Sequence, residues 1–80
     1  MATLRLFAAA REAAGTGQAT FDGADVGEVL GAAVVAFGPQ FQTVLTSCRV
    51  WLNGDPAEMH MTVGAGDEVA VLPPVSGGFA

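Results

Sequence analysis

Lysine is missing from this chain, and its three arginines (Arg5, Arg11 and Arg49) face eight carboxylates, for a formal net charge of −5. Phosphate-backbone binding needs clustered cations, so no nucleic-acid role is expected; an acidic surface suits a protein partner with a basic docking face. The one cysteine, Cys48, excludes an internal disulfide framework and fits a reducing compartment. No charged-then-apolar leader and no apolar run of about eighteen residues is present, so the expectation is a cytoplasmic chain with no membrane role.

Catalytic groupings are absent too. His60, the sole histidine, has no partner at ligand spacing, so no metal site is expected. Cys48 has no histidine neighbour and reads as a small hydrophobe rather than a nucleophile. Asp55, Glu58, Asp67 and Glu68 fall in turns, as solvated carboxylates commonly do. The glycines of GTG (15–17) and GAG (64–66) lack both the strand-loop-helix setting and the lysine of a phosphate loop. The chain is not expected to be an enzyme in its own right.

What is present is apolar: 51% of the 80 residues, against 14% charged. A chain this short forms one domain that buries about three-fifths of its unfolded surface. So high an apolar fraction predicts exposed apolar surface of the kind that binds a partner.

The periodicity reads as alternating strands around one strong helix. Residues 3–8 (TLRLFA) alternate as a half-buried strand, 10–15 form a helical turn closed by Gly15, and 18–23 form a second strand antiparallel to the first. Asp25 and Glu28 stand at capping-box spacing before a helical stripe of Val26, Val29, Leu30, Ala33, Val34 and Phe37. Gly27 and Gly31 weaken that helix, and their small size would let it sit close to a sheet. Gly38-Pro39 ends it, and a short second helical segment occupies 39–48. Residues 49–54 read as a strand with an Asn53-Gly54 turn, 57–60 as a short return strand, 64–67 as a turn and 68–72 as the last strand. The fold class is therefore α+β, a mixed sheet packed on one main helix, with the first and last strands paired in parallel. Leu4, Leu6, Val50, Leu52, Val69 and Val71 are expected to face the helix. Phe7, Trp51 and Leu72 then share the opposite face as an interface.

The chain closes on PPVSGGFA. Pro73 and Pro74 stop the strand and hold the tail away from the body, Val75 and Ser76 lead outward, and Gly77-Gly78 are bare enough to pass a narrow channel. The division is a domain over 1–72 and an extended tail over 73–80. On these residues alone, the tail suits delivery of a backbone carboxylate into a partner's active site, or is a disordered Gly-rich end.

GDEVAVLPPVSGG (66–78), LFAAAREAAG (6–15) and VWLNG (50–54) together resemble the MoaD/ThiS family of sulfur-carrier proteins, more strongly its MoaD branch. The resemblance covers nearly the whole chain and implies a ubiquitin-like β-grasp fold. It implies that Gly78, as a C-terminal carboxylate, is adenylated and converted to a thiocarboxylate that donates sulfur in molybdopterin biosynthesis. The partners implied are a ubiquitin-activating-type (MoeB/ThiF-like) adenylyltransferase, which uses ATP and magnesium, and a MoaE-like large subunit of molybdopterin synthase. The resemblance implies that the chain itself binds no cofactor. Related carriers serve thiamine, cysteine or secondary-metabolite synthesis. Arg11 matches the family's Arg-Glu pair, and either bonds a partner carboxylate or ties down its own loop. The departure is Phe79-Ala80: an amide at Gly78 cannot be adenylated. A processing peptidase cutting Gly78–Phe79, an inactive binding module with a masked tail, and a vector-derived remnant are the three readings, with processing preferred.

Overall fold

The computed structural model describes residues 1–73; Pro74, Val75, Ser76, Gly77, Gly78, Phe79 and Ala80, with the expectations placed on them, lie outside the described residues. In chain order the elements are β1 (Ala2–Leu6), α1 (Ala8–Ala14), β2 (Gln18–Phe21), α2 (Val26–Phe37), α3 (Pro39–Leu45), β3 (Arg49–Leu52), β4 (Asp55–Pro56) and β5 (Glu68–Leu72). The strands form one sheet in the order β2-β1-β5-β3-β4. β1 and β5 pair in parallel at its centre, Leu4 opposite Val69 and Leu6 opposite Val71, and β2 runs antiparallel to β1. A mixed sheet with helices on one face is the expected α+β arrangement.

Alternation along the central strands decides which side chains make the core. Leu4, Leu6, Val69 and Val71 are fully buried beneath Val26, Val29, Leu30 and Ala33 of α2. Val50 and Leu52 on β3 are half-buried and pack against the same cluster. Phe41 of α3 is the largest fully buried side chain and was not among the residues expected in the core. It belongs to an aromatic file: Phe21, Phe37 and Phe41 meet edge to face, with ring centroids 5.7 and 5.2 Å apart. Gly38, at φ 98 and ψ −176, takes a backbone conformation open essentially to glycine alone, and Pro39 then starts α3 where no N–H is required.

Every donor of the first turn of α2 has a partner. Asp25 caps it, its Oδ1 accepting from Glu28 N–H at 2.8 Å, and Glu28 Oε1 accepts from Ala24 N–H at 2.7 Å, one residue before the cap. Val29 N–H donates to Asp25 O. The Val26 and Gly27 N–H groups donate to Met61 O and Met59 O, each at 2.9 Å. Those two bonds explain a correction. The expected return strand over 57–60 is not formed: β4 is only Asp55–Pro56, and the chain then leaves the sheet so that the Met59 and Met61 carbonyls can serve the helix N-terminus.

Gly27 and Gly31 also do something other than expected. A Cβ on Gly27 would meet Met59 O at 3.3 Å, so Gly27 admits this crossing segment rather than the sheet. Gly31 is exposed, and a Cβ there would meet nothing within 4 Å. Two boundaries shift as well. β1 ends at Leu6, and α1 begins at Ala8 rather than residue 10, closed by Gly15 at φ 78.

The far end of the sheet is locked by side chains. Asn53 and Gly54, at φ 52 and 89, make the two-residue turn that the pair predicts. Asn53 Nδ2 donates to Asp67 Oδ1 at 3.0 Å, Gly64 N–H donates to Asp67 Oδ2 at 2.7 Å, and Glu68 N–H donates to Asn53 Oδ1 at 2.9 Å. The Asn53 bond first, then the Gly64 N–H, hold the Asp67 carboxyl below its ordinary value of 3.8.

Both sets of contacts are open to test by unfolding. A Cβ on Gly23 would sit 2.8 Å from Val29 N and 2.9 Å from its Cγ2. Gly23→Ala should therefore lower unfolding stability by about 1–3 kcal/mol, whereas Gly31→Ala should raise it by about 1 kcal/mol; urea unfolding of both variants checks this. A depressed folded pKa means that Asp67 contributes stability above its ordinary value and loses it as pH falls through the folded one. The stability gap between the parent chain and Asp67→Ala should be widest near neutral pH and close below 3.8.

Candidate functional site

The sheet face away from the helices gathers three of the four residues expected at an interface. Trp51 stands opposite Ala70, and Ala70 opposite Arg5, so a small residue separates the indole from the guanidinium. One row closer to the end of β5, Leu72 stands opposite Arg49. Phe7 continues β1 in extended conformation, its N–H donating to Val71 O at 3.2 Å, which sets it beside Leu72. Phe7 is 38% exposed, and Trp51 and Leu72 are half-buried. Ala8 then takes a left-handed φ of 52, which turns the chain sharply into α1 directly after Phe7. For a non-glycine residue that conformation costs about 1 kcal/mol or more.

Pro73, the last described residue, leaves the sheet from this corner. The arginines lie toward the same end. Arg5 reaches back to Glu68, with Nη1 to Oε2 at 3.3 Å, while Arg49 and Arg11 form no ion pair among the described residues. Arg11 is not on the Phe7–Trp51 face. Its side chain lies along the β1–β2 side, where a Cβ on Gly17 would meet its Nε at 3.4 Å. That packing places it against its own loop with its charge exposed. Asp22, Asp25, Asp55 and Asp67 lie at the opposite ends of the strands or at the start of α2, and Arg49 stands opposite Leu72 at the end from which Pro73 departs.

The remaining chemistry-bearing residues are quiet. His60 is exposed, with Nδ1 3.4 Å from Glu58 Oε1. Cys48 is half-buried, and burial pushes its thiol above the ordinary value. Among the described residues, no three His, Cys, Asp or Glu side chains converge as metal ligands, and no helix is long and apolar enough to cross a membrane.

A second surface went unread in the sequence. On the helix side, Leu30, Gly31 and Val34 of α2, Leu45 of α3, Val50 of β3 and Met59 border an open groove of about 430 Å³. Its one sequence signal is Gly31, a helix-interior glycine without a neighbour.

The ThiS family profile matches residues 4–78. The chain is 38% identical to the molybdopterin synthase sulfur carrier subunit of Chlamydomonas reinhardtii, over 90% of this chain and 92% of that one. Among solved structures, it resembles small archaeal modifier protein 1 of Haloferax volcanii at 34% identity and a TM-score of 0.79, covering 95% of this chain and 97% of that one. The same protein from Methanosarcina acetivorans superposes with a TM-score of 0.86 at 28% identity, over 95% and 94% of the two chains. The fold is thus the expected ubiquitin-like β-grasp.

Trp51 lies outside the buried cluster, unlike Leu4. Trp51→Ala should cost about 1 kcal/mol in urea unfolding, against about 2–5 kcal/mol for Leu4→Ala, so the face can be altered in a folded chain.

Proposed function

The chain belongs to the ThiS/MoaD family of sulfur carriers, and from that premise we propose that Gly78 is the residue on which it carries sulfur. The observation that supports this reading most directly is where the family match stops: at residue 78, leaving Phe79-Ala80 outside. A peptidase that cuts Gly78–Phe79 would expose the carboxylate. Its oxygen attacks the α-phosphorus of magnesium-bound ATP in an adenylyltransferase, with pyrophosphate leaving. Hydrosulfide from the sulfur donor then attacks the acyl carbon and AMP leaves, which gives the thiocarboxylate. A carboxylate is a poor acyl donor, and this sequence of steps supplies the leaving group that it lacks.

The body of the protein supplies the handle. Phe7, Trp51 and Leu72 form an apolar face beside the exit of Pro73, and an aromatic pair flanked by arginines is the composition of an interface anchor. In this reading the adenylyltransferase docks there first, and a larger synthase subunit docks there when sulfur is passed to a molybdopterin precursor. The Chlamydomonas relative, named as a subunit of molybdopterin synthase, supports that destination. Between that face and Gly78 the sequence places Pro73, Pro74, Val75, Ser76 and Gly77. ATP and magnesium belong to the activating partner.

A second reading comes from the archaeal modifier proteins, of which the Haloferax protein is 34% identical. The adenylated Gly78 would then be passed to a protein amine instead.

The test incubates the full chain, and a chain ending at Gly78, with the cognate adenylyltransferase, magnesium-ATP and a sulfur donor. Intact-mass measurement should show replacement of one oxygen by sulfur on the Gly78-ending chain alone. An unchanged mass for that chain would sink the proposal. Trp51→Asp in the same reaction should slow conversion while the chain stays folded.

A further inference from the structure

The groove on the helix side is built at a cost to the isolated chain. Gly31 sits mid-way along α2, where glycine weakens a helix, yet nothing within 4 Å of its Cβ position requires a glycine. Gly23 and Gly27, by contrast, each admit a neighbour that a side chain would meet. The bare backbone at Gly31 therefore widens the groove between Leu30 and Val34 on one wall and Leu45 and Val50 on the other. Exposed apolar side chains stand nearby: Val35, one turn after Gly31, is 86% exposed, and Met59 on the rim is 51% exposed. The volume, about 430 Å³, is that of a site for one or two large side chains.

Charge selects the occupant. No lysine or arginine occurs from residue 12 to residue 48, so α2 and α3 present no cation, while Glu28 lies one turn before Gly31 and Glu58 adjoins Met59. Arg5 and Arg49 belong to the outward-facing positions of their strands, across the sheet from the groove. A second copy of this chain also carries −5, so like net charge opposes self-association.

We propose that this groove binds a segment of another protein that lays a bulky apolar side chain over Gly31 and flanks it with arginine or lysine. It is the opposite layer of the fold from Phe7, Trp51 and Leu72. A carrier engaged through its sheet face and tail therefore keeps this groove open, and two partners can bind at once.

The test titrates the ¹⁵N-labelled full chain with a short synthetic peptide that has a central Leu and Phe flanked by arginines. Two controls replace the arginines by glutamates or the apolar pair by alanines. Saturable shifts are expected at the amides of Leu30, Gly31, Val34 and Val50, with the glutamate version weaker by roughly tenfold. Gly31→Leu fills the groove without helix strain. It should bind several-fold more weakly while unfolding at the same temperature as the parent or higher. Shifts confined to the Phe7–Trp51 face, equal binding of the arginine and glutamate peptides, or no saturable shift would overturn the proposal. So would self-association of the parent chain that Gly31→Leu abolishes, which assigns the groove to a second copy. Movement of the same amides on deleting Phe79-Ala80 would assign it to the chain's own tail, with the same consequence.

Discussion

The parallel pairing of β1 with β5 is the constraint on which the rest of the molecule depends. It joins residues 2–6 to residues 68–72, so nearly the whole chain must form the connection between them. A parallel pair buried in the middle of a sheet needs side chains that tolerate burial on the core side, and Leu4, Leu6, Val69 and Val71 supply them. The same pairing puts the end of β5 next to the end of β1. Phe7 and Leu72 become neighbours, and Pro73 leaves from the most firmly held strand. Whatever force a partner applies to the tail is therefore taken by the centre of the sheet rather than by an edge.

The fold divides its apolar surplus between two faces. One is the sheet surface around Trp51, set in register by Ala70 and bordered by Arg5 and Arg49. The other is the groove beside Gly31, on a side that carries no cation in α2 or α3. The excess of apolar residues over what so small a core can absorb is thus spatially organised, and of the two faces only the first is bordered by arginines. Under the two proposals, one face holds the tail-consuming protein while the other stays accessible.

Much of this was legible because local chemistry and long-range packing agree. Asp25 with Glu28, Asn53 with Gly54, and Gly38 with Pro39 each set a boundary through backbone groups close in sequence, and each is found where it was read. The strand faces came from period-two alternation, and the parallel central pair came from the length of the connection. What escaped reading depended on contacts between distant segments. The 57–60 stretch has the makings of a strand, but the Met59 carbonyl and that of Met61 just beyond it accept from the Gly27 and Val26 N–H groups some thirty residues earlier in the chain. Phe41 looks like one apolar residue in a short helix until Phe37 is set edge to face against it, with Phe21 beyond. Gly31 gives no sign of its position until the space around it is known. Arg11 was open in the sequence between a partner carboxylate and its own loop, and its side chain lies beside Gly17 of that loop. The expectations placed on Pro74, Val75, Ser76, Gly77, Gly78, Phe79 and Ala80 lie outside the described residues; the family match ends on Gly78.

The proposed mechanism requires Gly78 to be a free chain terminus. The most direct measurement is the intact mass of the protein purified from its native cells, with fragmentation of its C-terminal peptide. The expected result is a chain that ends at Gly78, part of it with sulfur in place of one carboxylate oxygen. A population that uniformly retains Phe79-Ala80 would contradict it.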